Sequence, residues 1–242
     1  MEASSGAVGP ADPHGDRIED AVDAVPERVQ RFEQQVRFIV EIDKLKRVLR
    51  RTLLTDGSRR ENSAEHSWHI ALMAPLLAEH GGASVDVSRV IRMLLVHDVV
   101  EVDAGDTFAY DAAGNVDRLE REQRAADRIF GLLPADQAAE LRALWDEFEA
   151  AATDDARFAH AVDRLQPLLQ NLHNEGGTWR SHGVTREQVV GRMRPIEDAT
   201  PDLWSFVIRS IDEVWSRGRV LHWDEHGRGE GEASETPIDR AP

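Results

Sequence analysis

The chain has 242 residues, a formal net charge of −16 and no cysteine, a length that suits one domain of about 190 residues with tails. Its acidity argues against nonspecific binding to a phosphate backbone, and the missing cysteines exclude disulfides and thiolate zinc sites and fit a cytoplasmic protein. No apolar run long enough to span a membrane and no signal pattern is predicted.

Residues 1–26, rich in Gly, Pro, Ala, Asp and Ser, have little apolar periodicity and read as a disordered tail, with at most a short acidic helix near Ile18–Val22. A helix is predicted from Pro26, carried to Leu49 by Phe32, Val36, Ile39, Val40, Ile42, Leu45, Val48 and Leu49 at helical spacing. Its end is basic: Lys44, Lys46, Arg47, Arg50 and Arg51, then Arg59 and Arg60 after the turn Thr55-Asp56-Gly57-Ser58. Cations offset the dipole at a helix C-terminus, but seven in so acidic a chain exceed that need. Asn62 or Ser63 caps the next helix, which opens with Glu65-His66, buries Ile70, Met73, Leu76 and Leu77, and closes at His80-Gly81-Gly82. Ser84 or Asp86 starts the helix of Val87, Val90, Ile91, Leu94 and Leu95, which delivers His97 and Asp98.

After a loop over 111–115, a charged helix runs from Leu119 to Phe130, and another follows Pro134 through Leu141, Leu144, Trp145 and Phe148. Thr153 or Asp154 caps a helix with Phe158, Val162, Leu165, Leu168 and Leu169 as its core, ended by Gly176-Gly177. Two last helices cover Val184–Met193 and Leu203–Trp215, with Trp204, Phe206, Ile208, Ile211 and Trp215 reading as core or subunit interface. The domain is predicted over 27–223, followed by a disordered tail over 224–242.

His97-Asp98 stands where an apolar run meets the polar stretch Glu101, Asp103, Gly105, Asp106. Alone, such a pair reads as a solvated helix end. With His66 upstream and Asp163 downstream, each inside its own apolar helix, two imidazoles and two carboxylates can supply four ligands to one divalent transition metal ion. His69, His160 and His173 are weaker candidates, and Asp103 reads as solvated.

His66, His97-Asp98 and Asp163 in this order resemble the H…HD…D metal set of the HD-domain phosphohydrolases. The stretches Glu61-Asn62-Ser63-Ala64-Glu65-His66 and His97 through Asp106 are similar to those of the HD-domain 5′-deoxynucleotidases, and the similarity covers residues 30–220. The resemblance implies an all-α, phosphodiesterase-like HD helical bundle, forming a homodimer. It implies a Co²⁺, Mn²⁺, Zn²⁺ or Fe²⁺ ion on His66, His97, Asp98 and Asp163, and release of orthophosphate from a nucleoside 5′-monophosphate or another phosphorylated small molecule, with neither nucleic acid nor membrane as partner. Glu101 would protonate the leaving oxygen and Asp106 would orient or deprotonate the water, although spacing alone lets the two exchange. Counting back from His66 matches Arg51 to the family's phosphate-binding arginine, with Arg47 next; Thr52 stands where family members often have Trp. The alternatives are an HD hydrolase of nucleoside triphosphates or cyclic nucleotides, and a non-catalytic helical binding protein.

Overall fold

The structure is a computed structural model that describes residues 26–216; the predicted tails over 1–25 and 224–242, the 18–22 helix and Trp223 lie outside the described residues. Local signals set many boundaries. Helix α1 spans Glu27–Ile42 behind Pro26. It does not run to Leu49: the chain tightens into a 3₁₀ turn over Asp43–Arg47, then extends into β1, Leu49–Leu53, which pairs antiparallel with β2, Arg60–Asn62. A helix through this stretch would stack Lys46, Arg47, Arg50 and Arg51 on neighbouring turns, where like charges repel. An extended strand sends Arg50 and Arg51 to opposite faces. The connecting turn uses Gly57 at φ +71°, with Asp56 Oδ1 accepting from Ser58 N at 2.9 Å.

Asn62 ends β2 and caps α2, Ser63–Leu76, in a capping box: its Oδ1 accepts from Glu65 N (2.9 Å) and Glu65 Oε2 from Asn62 N (3.3 Å). Ser63, His66, Ser67, Ile70, Met73 and Ala74 form its buried stripe. Asp86 caps α3, Val87–Val96, which passes into a 3₁₀ turn over His97–Val100 and the single turn α4, Glu101–Ala104. Then come α5 (Arg118–Phe130), α6 (Ala135–Ala150), α7 (Asp154–His173, capped by Thr153), the short α8 (Gly177–Ser181), α9 (Arg186–Ala199) and α10 (Pro201–Ser216). Sequence periodicity missed α8, which is one turn long.

Helix α7 packs against α2, α3, α6 and α9. The main core joins Ile70, Leu94, Phe158, Leu168, Ile196 and Ile211 from five helices; each such buried side chain contributes roughly 1.5–3 kcal/mol before entropy is counted. A second cluster of Phe38, Val99, Val100, Ile129, Phe130 and Trp145 packs beneath the 3₁₀ turn. The described residues thus form a helical bundle with one two-stranded hairpin. The rigid parts of α2, α3 and α7 converge where His66, His97, Asp98 and Asp163 sit.

Candidate metal centre and active site

His66 enters from α2 and is fully buried. Its Nδ1 lies 3.1 Å from Gln166 Oε1, and Gln166 Nε2 in turn donates to Glu61 Oε1 at 2.7 Å. That chain fixes the ring so that Nδ1 faces Gln166 and Nε2 faces the cluster. Nε2 is 2.9 Å from Asp163 Oδ1 and 4.0 Å from Asp98 Oδ2. His97 is set the same way: Nδ1 donates to Leu94 O at 2.9 Å, and Nε2 is 2.9 Å from Asp98 Oδ1 and 3.8 Å from Asp163 Oδ1. His97 and Asp98 open the 3₁₀ turn that follows α3, and both are buried there. One ligand atom each from His66, His97 and Asp98 lies within 4.8 Å of the others. The structure therefore brings together all four residues that the sequence singled out.

The electrostatics favour a cation here. Burial works against the charge of His97, yet Asp98 and Asp163 hold its pKa up at about 9. Burial would raise Asp98, but His97 and Arg50 hold it down at about 2. Asp163 is likewise held well below the usual range against its burial, first by the His66 hydrogen bond. Imidazole and carboxylate donors suit a divalent transition ion, which would displace the ring proton and take over the role these ion pairs play.

Glu101 is buried and accepts from Ser63 Oγ at 2.5 Å. Burial, and then Asp98, push its pKa well above the ordinary carboxylate range. Asp106 follows Gly105, whose φ of +72° and ψ of 155° suit glycine alone, and burial raises its pKa too while Arg50 opposes. Arg121 braces this loop, donating to Ala104 O (2.6 Å), Gly114 O (2.9 Å) and Thr107 Oγ1 (3.2 Å). Asp103 pairs with Arg128 at the surface.

The arginines fall differently from their sequence order. Arg50 turns inward from β1: its Nη1 is 2.9 Å from Asp98 Oδ2 and its Nε 3.7 Å from Glu61 Oε2, with no hydrogen-bond partner on the buried Nε. Arg51 borders the same cavity but is largely exposed, and Arg47 is exposed on the 3₁₀ turn, away from the cavity lining. Strand alternation explains the inversion, and the strand was the element the sequence reading lacked. Gln166 was also missed, although its place three residues after Asp163 puts both on one helix face.

The three weaker histidine candidates make other contacts. His69 Nδ1 is 3.3 Å from Gln166 Nε2. His160 donates from Nε2 to Phe148 O (2.7 Å) and stacks on Phe148. His173 is exposed and bonds Leu169 O. The cavity over the cluster is lined by Arg50, Asp98, Glu101, Asp106 and Asp163 and by the aromatic residues Phe108, Tyr110, Phe148 and Trp179.

The HD-domain family model matches residues 42–204. This chain belongs to the HD-domain family. The HD-domain chain is 29% identical over 182 residues to a mouse protein named 5′-deoxynucleotidase HDDC2, covering 74% of this chain and 85% of the relative. Its human counterpart is 30% identical over 166 residues, covering 68% and 76%. Among solved structures, a predicted metal-dependent phosphohydrolase from Magnetospirillum magnetotacticum superposes with a TM-score of 0.78 at 57% identity, covering 81% of this chain and 98% of the other. The HD-domain core and its His/Asp cluster thus coincide with the region the family model spans.

Proposed function

We propose that this HD-domain protein is a metal-dependent phosphomonoesterase that cleaves a nucleoside 5′-monophosphate with water to give nucleoside and orthophosphate. The observation that carries the reading is one cavity lined by Arg50, Glu101, Asp106, His97, Asp98 and Asp163, with His66 buried behind it against Asp163. The relatives named 5′-deoxynucleotidases support the substrate class.

His66, His97, Asp98 and Asp163 would hold one divalent ion, Co²⁺, Mn²⁺, Zn²⁺ or Fe²⁺. Such an ion supplies Lewis acidity toward a phosphoryl oxygen and toward water. Arg50 presents its guanidinium to the phosphate and offsets its charge, with Arg51 at the rim. Asp106 orients the attacking water and accepts its proton. Glu101, whose pKa is raised by burial and then by Asp98, hands a proton to the departing 5′-oxygen. Phe108, Tyr110 and Trp179 give the base an apolar wall.

A homodimer acting in the cytoplasm belongs to the same reading. Phe32, Ile39 and Val40 on α1 and Trp68, Leu72 and Leu76 on α2 are exposed, an apolar surface that a second copy would cover. No helix among the described residues is long and apolar enough to cross a membrane. The test is phosphate release from a panel of nucleoside 5′-monophosphates, 5′-triphosphates and cyclic nucleotides with added Co²⁺, Mn²⁺ or Mg²⁺. Release from the monophosphates supports the reading; turnover confined to the other two classes overturns it. Sedimentation of the same protein, alone and as Val40→Glu, tests the dimer: a shift from dimer to monomer is expected, and a wild-type monomer contradicts it.

A further inference from the structure

The same cavity is also walled by Arg118 of α5, Arg164 of α7 and Arg192 of α9, together with Tyr110 and His160. The reaction proposed above uses none of these three cations. Arg118 is already neutralised: Nη1 is 3.4 Å from Glu122 and Nη2 3.2 Å from Glu149. Arg164 and Arg192 have no carboxylate salt bridge among the described residues. The Nε and Nη1 of Arg164 are buried with no hydrogen-bond partner, and Nη2 meets only His160 Nδ1, at 3.3 Å. His160 spends its ring proton on Phe148 O, so it can accept from Arg164 but supplies no negative charge. Burial, and then Arg164 beside it, pull the Arg192 guanidinium down to about 10, which Asp163 and Tyr110 offset only in part.

Arg164, half-buried with two unpartnered nitrogens, is costly unless a ligand supplies the anion, and Arg192, more exposed on α9, adds a second cation to the same lining. In a chain of net charge −16, carboxylates are plentiful, and most arginines on the surface have found one. A neutral base or sugar would leave both charges unmet. Arg164 directly follows Asp163 on α7, and consecutive helical residues diverge by about 100°. Its charge therefore lies off the side on which Asp163 meets His66. Arg50 comes to the cavity from β1, a different element from those that carry Arg164 and Arg192.

We propose that this wall is a subsite for a second phosphate of the substrate, carried on a different hydroxyl from the one whose ester is cleaved. Resting on the nucleotidase reading above, it names the substrate class as nucleosides with a 5′-phosphate and a second phosphate on the sugar. The phenol of Tyr110 offers a further donor to that group.

The experiment compares a nucleoside 5′-monophosphate, the 3′,5′-bisphosphate, the 5′-diphosphate and inorganic phosphate. The readouts are kcat/KM of the metal-loaded enzyme and calorimetric binding to metal-free protein. The wild type is expected to favour the bisphosphate over the monophosphate by about tenfold or more in both readouts. In Arg192→Gln, a change on a helix surface outside the core, that ratio is expected to fall toward one; Arg164→Gln should do the same, with circular dichroism checking its fold. A wild-type ratio near one, a ratio unchanged in Arg192→Gln, equal preference for the diphosphate, or equally tight binding of free phosphate overturns the subsite. If the bisphosphate binds tighter but no nucleotide is turned over, the nucleotidase reading fails and the subsite stands. Turnover of monophosphates without any preference fails the subsite alone.

Discussion

Arg50 and Arg51 are adjacent in the chain and opposite in direction. Arg50 lies 2.9 Å from Asp98, while Arg51 faces solvent at the cavity rim. Removing a charge that faces developing negative charge in a water-poor site costs about 10²–10³ in turnover. Arg50→Ala is therefore expected to lose about that much in kcat/KM, and Arg51→Ala less than about tenfold; steady-state kinetics on both variants checks the order, and the reverse order would return the phosphate to Arg51. His160 gives a pH prediction. Burial, then the charge of Arg164, lower its pKa to about 4, below the ordinary value of 6.5. The unfolded chain thus takes up this proton first, so the stability contributed by neutral His160 is complete above pH 6.5 and is lost as pH falls toward 4. Denaturant midpoints of wild type and His160→Gln at pH 7 and pH 4.5 should show the wild-type advantage shrinking by about 2 kcal/mol; a constant gap would mean that His160 is not held neutral.

At the level of elements, the helices that carry the site could be read from the chain because their signals are local. Asn62, Asp86 and Thr153 are side chains that cap, and the stripes of α2, α3 and α7 follow helical spacing. The hairpin could not be read that way. Leu45, Val48 and Leu49 prolong the period of α1, and a five-residue strand offers too few alternations to compete with it. The turn at Thr55–Ser58 was visible, since Asp-Gly is a local signal; the strands flanking it depend on pairing, which is not. The strand is what turns Arg50 inward and leaves Arg51 at the rim. Helix α7 contributes twice to the candidate metal centre: Asp163 points at His66 Nε2, and Gln166, three residues on, holds His66 Nδ1. Gln166→Leu is expected to weaken metal affinity about 10–100-fold with the four ligands intact. Metal titration with a competing chelator measures this, and unchanged affinity would leave Gln166 a packing role only.

For the molecule as a whole, the centre was apparent from the sequence because its residue types are rare inside apolar helices and their order is distinctive. The second wall was not, because Arg118, Arg164 and Arg192 lie on three helices and only the folded chain brings them to one cavity. Each alone looks like any surface arginine in a chain with 29 basic residues. The net charge of −16 sharpens this: a phosphorylated substrate is repelled by the surface and attracted only where arginines face the cavity.

The most direct measurement sets metal content against phosphate release in the same preparations of wild type and Asp98→Ala, with a nucleoside 5′-monophosphate as substrate. Wild type should carry about one divalent ion per chain and release phosphate, and Asp98→Ala should lose both together. Full turnover by Asp98→Ala, or by wild type stripped of its ion, would contradict the account.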